Sequence, residues 1–386
     1  MNLSQTFSID VRADWVAAHN RDAAAVVDAH RADRPLRVPL MPGEWFGQHG
    51  LYADEADVDY ARYYAEPDEM LRVQLEAARR RRELPICDMI LGQAPEAWTV
   101  SVDLWPVVAP GWLGCELVYR RDAVIAHRSL NLSKAECRAL AMPDPRSGGI
   151  LKTCEAFWGH LKDRYENSLQ FLGRPVGTIG HGVGTAGFFS LALDLRGPDI
   201  MADMYEDPEF VREFLLKVAG WCDGLERTWC ARSDGTLGAF GITDHGIDML
   251  SAETYEGFIV PVVRRINEQR GTKPPTLLHH CGRGAHLFPT VKRCFGLTDL
   301  DMLTFPLVDI ARVRREVGED VRVTALIADQ ITQSGPPERI RETVKALLQG
   351  AKGRGRLALA MGDMLKGTPL EHRLVLYESV KEFGAY

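Results

Sequence analysis

Short apolar runs recur along the chain, at Thr99 to Leu104, Val176 to Gly180, Leu237 to Thr243, Thr276 to Cys281, Met302 to Phe305, Val321 to Ile327 and Leu357 to Met361. Runs of this kind mark strands buried on both faces of a parallel sheet, and helical segments lie between most successive members. The alternation predicts an α/β fold. Helix punctuation supports it. In Asp207-Pro-Glu-Phe-Val-Arg-Glu-Phe-Leu-Leu-Lys-Val, Asp207 can cap and Pro208 suits the first turn. Phe210, Val211, Phe214, Leu215 and Val218 then form one apolar stripe. Ser251 opens a second helix, with a kink expected at Pro261 and an end before Gly271. Pro336 and Pro337 open a third, running to Leu348 before Gly350.

The first seventy or so residues read as helices and loops around a short apolar stretch, Arg37 to Met41, followed by a helix from about Pro67 through Arg82. No repeat of solenoid length and no low-complexity linker divides the chain, so one domain is expected over 1–386. Residues 1–90 form a helical N-terminal extension of it and 91–386 the strand–helix core. Apolar residues at 46% and charged residues at 26% give ample core material and exclude a disordered chain.

A net charge of −7 argues against a nucleic-acid surface, which needs clustered cations; the run Arg79 to Arg82 reads as a helix terminus facing the carbonyl end of the dipole. No apolar stretch reaches the roughly 18 to 20 residues of a membrane span, and the start lacks the features of a leader, so the expectation is cytoplasmic. Eight scattered cysteines without a CxxC pair suit reduced, mostly core thiols.

Several segments carry candidate chemistry. Gly182-Val-Gly184-Thr-Ala-Gly187 matches GxGxxG after a strand, but the acids about twenty residues on fall in a helix start rather than at a strand end. A glycine-rich loop facing the active site is the favoured reading over a dinucleotide cradle. In Leu277-Leu278-His279-His280-Cys281-Gly282, strand alternation puts His279 and Cys281 on one face and His280 on the other. An imidazole and a thiol facing one space suit zinc; the alternative is a buried cysteine beside a hydrogen-bonded histidine. Thr243-Asp244-His245-Gly246 ends the preceding apolar run with a carboxylate and an imidazole. Asp244 can accept a proton, orient a ligand or hold an amine, or else cap a helix or loop. Asp329 and Asp363 follow strands with the same two readings open.

The residues from Gly197-Pro198 with Met204-Tyr-Glu-Asp-Pro-Glu-Phe-Val, through Asp244-His245-Gly246 and His279-His280-Cys281-Gly282, to Gly335-Pro-Pro-Glu and Thr368-Pro369 resemble, in order, the uroporphyrinogen decarboxylase superfamily. The resemblance implies a (β/α)8 TIM barrel with its site at the C-terminal ends of the strands. His279-x-Cys281-Gly282 is similar to the signature of its zinc-dependent corrinoid methyltransferases. Two departures follow. Where the decarboxylases carry an Arg-Gln-Ala-Gly-Arg stretch for substrate carboxylates, this chain reads Pro42-Gly-Glu-Trp-Phe-Gly-Gln-His49, which disfavours a tetra-acidic porphyrinogen. Where the methyltransferases supply a late zinc thiolate, it reads Ala360-Met361-Gly362-Asp363-Met364, without a cysteine.

On the resemblance, zinc is expected on His279, Cys281 and a replacement donor among Asp363, Asp244 and His245; Asp244, His245 and His181 are the expected catalytic residues, and Glu44, Trp45, Gly184 and Asp329 the substrate contacts. The leading function is methyl transfer between a small molecule and a corrinoid protein or thiol, with cobalamin carried by a separate partner protein. A metal-independent decarboxylase or lyase, with Asp244 and His181 or His245 managing protons, is the alternative; a catalytically idle scaffold is a third. No nucleic-acid or membrane partner is expected, and a homodimer is one assembly the chain could form.

Overall fold

The computed structural model describes residues 3–42, 58–121, 123–353, 355–362 and 366–386. Its strands, in chain order, are β1 (Leu40–Met41), β2 (Trp98–Ser101), β3 (Glu116–Val118), β4 (Ala126–Arg128), β5 (Gln170–Phe171), β6 (Arg174–Gly180), β7 (Leu277–His279), β8 (Asp299–Phe305), β9 (Arg322–Ile327) and β10 (Leu357–Ala360). β1, β10, β9, β8 and β7 pair in parallel in that order, and β2 pairs in parallel with β6. β3 and β4 form a hairpin inserted after β2, and β5 folds back on β6. With helices between successive parallel strands, the architecture is the (β/α)8 TIM barrel that the alternation and resemblance predict.

Two of the eight barrel positions depart from the apolar pattern. The stretch 37–41, which the periodicity leaves in the N-terminal extension, supplies β1 and pairs with β10. That pairing joins the chain's two ends. Buried Asp88 accepts from both Arg37 nitrogens, from the Leu40 amide and from the Tyr377 hydroxyl, locking β1 to the C-terminal helix Leu370–Phe383. The segment expected as a strand over Leu237 to Thr243 has no ladder. Phe240 and Ile242 are buried as the pattern requires. However, the Phe240 amide donates to the Asn267 side chain, which donates back to the Phe240 carbonyl, so a helix side chain does the work of a neighbouring strand. The ladders therefore form two arcs, with the 238–243 segment between β6 and β7 in the chain.

Helix stripes pack as their spacing predicts. In Pro208–Arg232, capped by Asp207 through the Phe210 amide, the five stripe residues are all buried. The helix opened by Ser251, whose hydroxyl accepts from the Thr254 amide, runs through a π-helical turn, Tyr255–Ile259, just before Pro261. Pro261 lacks the amide that would bond one turn back, and the wider turn absorbs the loss. The arginine run ends its helix, Pro67–Arg81, with Arg79 paired to Glu76 and Glu83 and Arg80 to Glu83, while Arg82 lies over the Trp98 ring. Among the described residues no helix is long and apolar enough to cross a membrane.

Candidate active site

β7 ends at His279 and the chain continues through His280 to Cys281. The alternation holds. His280 is completely buried, packs on Phe288 and accepts the Gly284 amide at 3.0 Å; burial pushes its imidazole down to about 4. His279 and Cys281 stay partly accessible on the opposite side.

Around Cys281 two imidazoles converge. His245, from the end of the 238–243 segment, places Nδ1 3.6 Å from the thiol sulfur, and its ring meets His279 edge to face at 5.8 Å. His279 Nδ1 lies 3.2 Å from Asp301 Oδ2. In the β7–β8 register His279 stands opposite Asp301, so the ladder itself sets this pair. The backbone is tied by two threonines: the His279 amide donates to Thr243 Oγ1, and Thr304 Oγ1 donates to the Cys281 carbonyl. Hydrogen bonds from His245 and His279 pull the Cys281 thiol down to about 6 against its burial. Burial opposes charge on His279, but its bonds to Asp301 and Cys281 win and raise it to about 9; the Cys281 bond likewise raises His245. Near neutral pH the cluster is a thiolate held by a protonated imidazole.

Asp244 is built into a different structure. It is 3% exposed, and Oδ2 accepts the Phe189 amide at 2.7 Å. Oδ1 accepts the amides of Ser190 and Gly246, both at 3.0 Å, and the Ser190 hydroxyl at 2.6 Å. Burial raises its carboxyl to about 6 in spite of these bonds. Asp244 is thus the N-terminal cap of helix Phe188–Arg196, which has no cap of its own at Gly187. These contacts match the capping reading that the sequence leaves open.

The same contacts explain the glycine motif. Gly187 has φ of 110°, and a Cβ there would lie 2.4 Å from the Asp244 carboxylate; at Gly182 it would strike the Val102 carbonyl. The amides that would receive a pyrophosphate in a dinucleotide site are already taken by Asp244. Gly184 borders open space in the loop that follows β6.

His181 is held among aromatics, its ring 5.2 Å from Trp229 and 6.0 Å from Trp158, with Nδ1 accepting the Val183 amide; burial lowers its imidazole. These contacts make it part of the wall rather than of the thiol cluster. Asp329 opens helix Asp329–Ser334 after β9, and a Cβ on Gly362 would meet its Oδ1 at 2.3 Å. An aspartate carboxylate therefore fills the space that a side chain at 362 would take. Glu44, Trp45 and Asp363 lie outside the described residues. Asp301 and Thr304 escaped the sequence reading, as did the tie from Thr243 to the His279 amide, although an acid within the buried strand Asp299–Phe305 was a visible signal for Asp301.

The donor chemistry of His279 and Cys281 suits zinc, but their arrangement with the other described residues does not complete a site. Among those residues no three His, Cys, Asp or Glu side chains are placed to hold one metal ion.

A TIM barrel with a thiol and two imidazoles at its strand ends is the class of protein these features define. The chain belongs to the uroporphyrinogen decarboxylase (URO-D) family, whose model matches residues 24–383. It is 30% identical over 136 residues to the methylated-thiol–coenzyme M methyltransferase of Methanosarcina mazei, a match spanning 35% of this chain and about a third (34%) of that relative. In fold it is similar to a methyltransferase from Methanosarcina mazei, with a TM-score of 0.60 and 16% identity over 94% of this chain and 98% of the other.

Proposed function

We propose that this protein is a cytoplasmic methyltransferase that moves a methyl group between a small molecule and a thiol or a separate corrinoid protein. The observation that carries the reading is the Cys281 thiol clasped between His245 and His279 at the strand ends. Methyl transfer from a heteroatom requires a proton for the departing group and a nucleophile stripped of water and aligned behind the methyl. In this reading His279, kept protonated by Asp301 and Cys281, delivers the proton to the leaving heteroatom. His245 takes the proton of an acceptor thiol. The Cys281 thiolate holds both imidazoles in place and helps keep His279 protonated. The similarity to a methylated-thiol methyltransferase and the matching fold support the reaction class.

No step here runs through zinc. The candidate set His279, Cys281 and Asp363 is tested by metal analysis before and after a chelator, alongside Cys281→Ser: more than half an equivalent lost on chelation would put a metal at this site.

The decisive experiment incubates the purified protein with methylated thiols, methylamines or methyl ethers and free cob(I)alamin or a thiol, and follows methyl-cobalamin absorbance or the methylated thiol. Transfer that depends on Cys281 is the expected result. Carbon dioxide release from a carboxylated substrate without methyl transfer would overturn the reading in favour of a lyase.

A further inference from the structure

The extended segment that ends in His245 has no strand ladder on either side, yet it holds the imidazole 3.6 Å from the Cys281 sulfur. Side chains take over the task of fixing it. Two of them belong to the helix that follows, Val260–Arg270. Asn267 brackets the Phe240 backbone, and Arg270 stands about one turn further on. The Arg270 side chain is 1% exposed. Its Nη1 donates to the Gly238 carbonyl at 2.9 Å, Nε to Asp223 Oδ1 at 2.6 Å and Nη2 to Glu226 Oε2 at 2.7 Å, and the guanidinium lies 5.1 Å from the centre of the Phe240 ring.

The clasp extends beyond the segment. Glu226, on the helix Pro208–Arg232, accepts the Thr185 hydroxyl at 3.0 Å through its other oxygen. Thr185 lies in the glycine-rich loop after β6, and that loop is tied again where Asp244 caps the helix Phe188–Arg196. Loop and segment are thus joined at two points and form one body, with Arg270 at one joint and Asp244 at the other. Toward β7, Thr243 Oγ1 accepts the His279 amide at 3.3 Å and His245 meets Cys281.

We infer that Arg270 is a positioning residue for His245: its hold on Gly238, Phe240 and Glu226 keeps the segment and the glycine loop as one body and so sets the spacing between the His245 imidazole and the Cys281 sulfur. A segment without a ladder passes a shift at its start on to its end, and reacting groups lose rate steeply over displacements of about 1 Å. The planar guanidinium serves a carbonyl and two carboxylates in fixed directions at once, which the single ammonium of a lysine does not reproduce. The consequence for turnover rests on the reading in which His245 takes the proton of an acceptor thiol. The spacing itself is measured without turnover.

Thiol cross-linking in the full-length protein tests it. In the His245→Cys background the introduced thiol stands where the imidazole faces Cys281, and diamide, which takes up the two hydrogens, closes the disulfide at a rate set by how often the sulfurs meet. Mass spectrometry of the peptides assigns the bond. Adding Arg270→Lys, which keeps the positive charge, should slow closure about tenfold; adding Thr185→Val, which cuts the tie of the loop and leaves the buried ion pairs intact, should slow it about threefold. With His245 in place, Arg270→Lys should lower kcat for methyl transfer about tenfold per folded molecule while KM for the donor stays within about twofold. Closure at the parent rate in both variants, each with wild-type circular dichroism, would overturn the inference, as would a kcat that falls no further than the folded fraction. Slowed closure in a protein that transfers no methyl group would sink the methyltransferase reading and leave the positioning role standing.

Discussion

Asp244 and His245 are consecutive residues at the end of one extended segment, yet they belong to regions built on opposite terms. Every oxygen of Asp244 is occupied by amides and a hydroxyl of its own fold, and Gly187 has no side chain so that the carboxylate can reach the helix. His245 instead faces a thiol across 3.6 Å, in a cluster that remains partly open and whose members move one another's protonation. A saturated polar group of this kind stabilises; an unsaturated, charge-coupled one is free to react. The difference teaches that burial and a shifted pKa do not by themselves mark a reacting group.

The sharpest way to break the comparison is to exchange the consequences of mutation. Cys281→Ser should cost methyl transfer about a thousandfold, roughly 4 kcal/mol of barrel-bound transition-state stabilisation, while the unfolding free energy moves by less than about 1 kcal/mol. Asp244→Ala should do the reverse. With the helix cap lost and buried amides left unpaired, denaturant unfolding should report a loss of about 3 kcal/mol. If Asp244→Ala folds normally and is inactive, the division into a structural and a reactive region fails. An NAD titration belongs to the same test: with Asp244 on the helix amides, no saturable binding is expected, and micromolar affinity would show that the cap yields to a phosphate.

The reactive region can be sharpened from within. His279→Gln removes a hydrogen bond to the thiolate and the proposed acid, so activity should fall about a hundredfold. Iodoacetamide alkylation gives an independent reading. In the wild type the rate rises with pH around 6, where Cys281 ionises; in the variant the midpoint should move up toward an ordinary thiol value. A midpoint that stays near 6 would mean that His245 alone sets the thiol.

What is legible in the amino-acid sequence follows the same divide. The barrel was legible because parallel strands are apolar on both faces, and the pairing of His279 with Cys281 because alternation along a strand is strict. Asp244 was legible as a pair of readings, since a cap and a catalytic acid look alike until their partners are known. The ladder-free segment was misread because Phe240 and Ile242 are buried like strand residues, while Asn267, distant in sequence, satisfies the backbone. β1 was missed because a strand of two residues has no period to detect. The occupation of the space beside Gly362 by Asp329 joins the loops of two neighbouring strands, and no local pattern records it.

The smallest expected effect is the most discriminating. Asp301 meets the cluster through His279, and its place opposite His279 in the ladder makes it a positioning residue. Asp301→Asn keeps the shape and a hydrogen bond but removes the charge that helps hold His279 at about 9. Activity that needs protonated His279 is full below that value and lost as pH rises through it, so with a lowered pKa the alkaline limb of the kcat profile should shift down. At pH 7 the loss should be only about tenfold, the scale on which carboxylates tune an imidazole from behind. At pH 9 it should widen, because the wild type is still about half protonated there while the variant is not. Asp301→Glu, which restores the charge on a longer arm, should return most of the alkaline limb. A merely structural Asp301 would lower activity equally at every pH, and Asp301→Glu would not recover the profile.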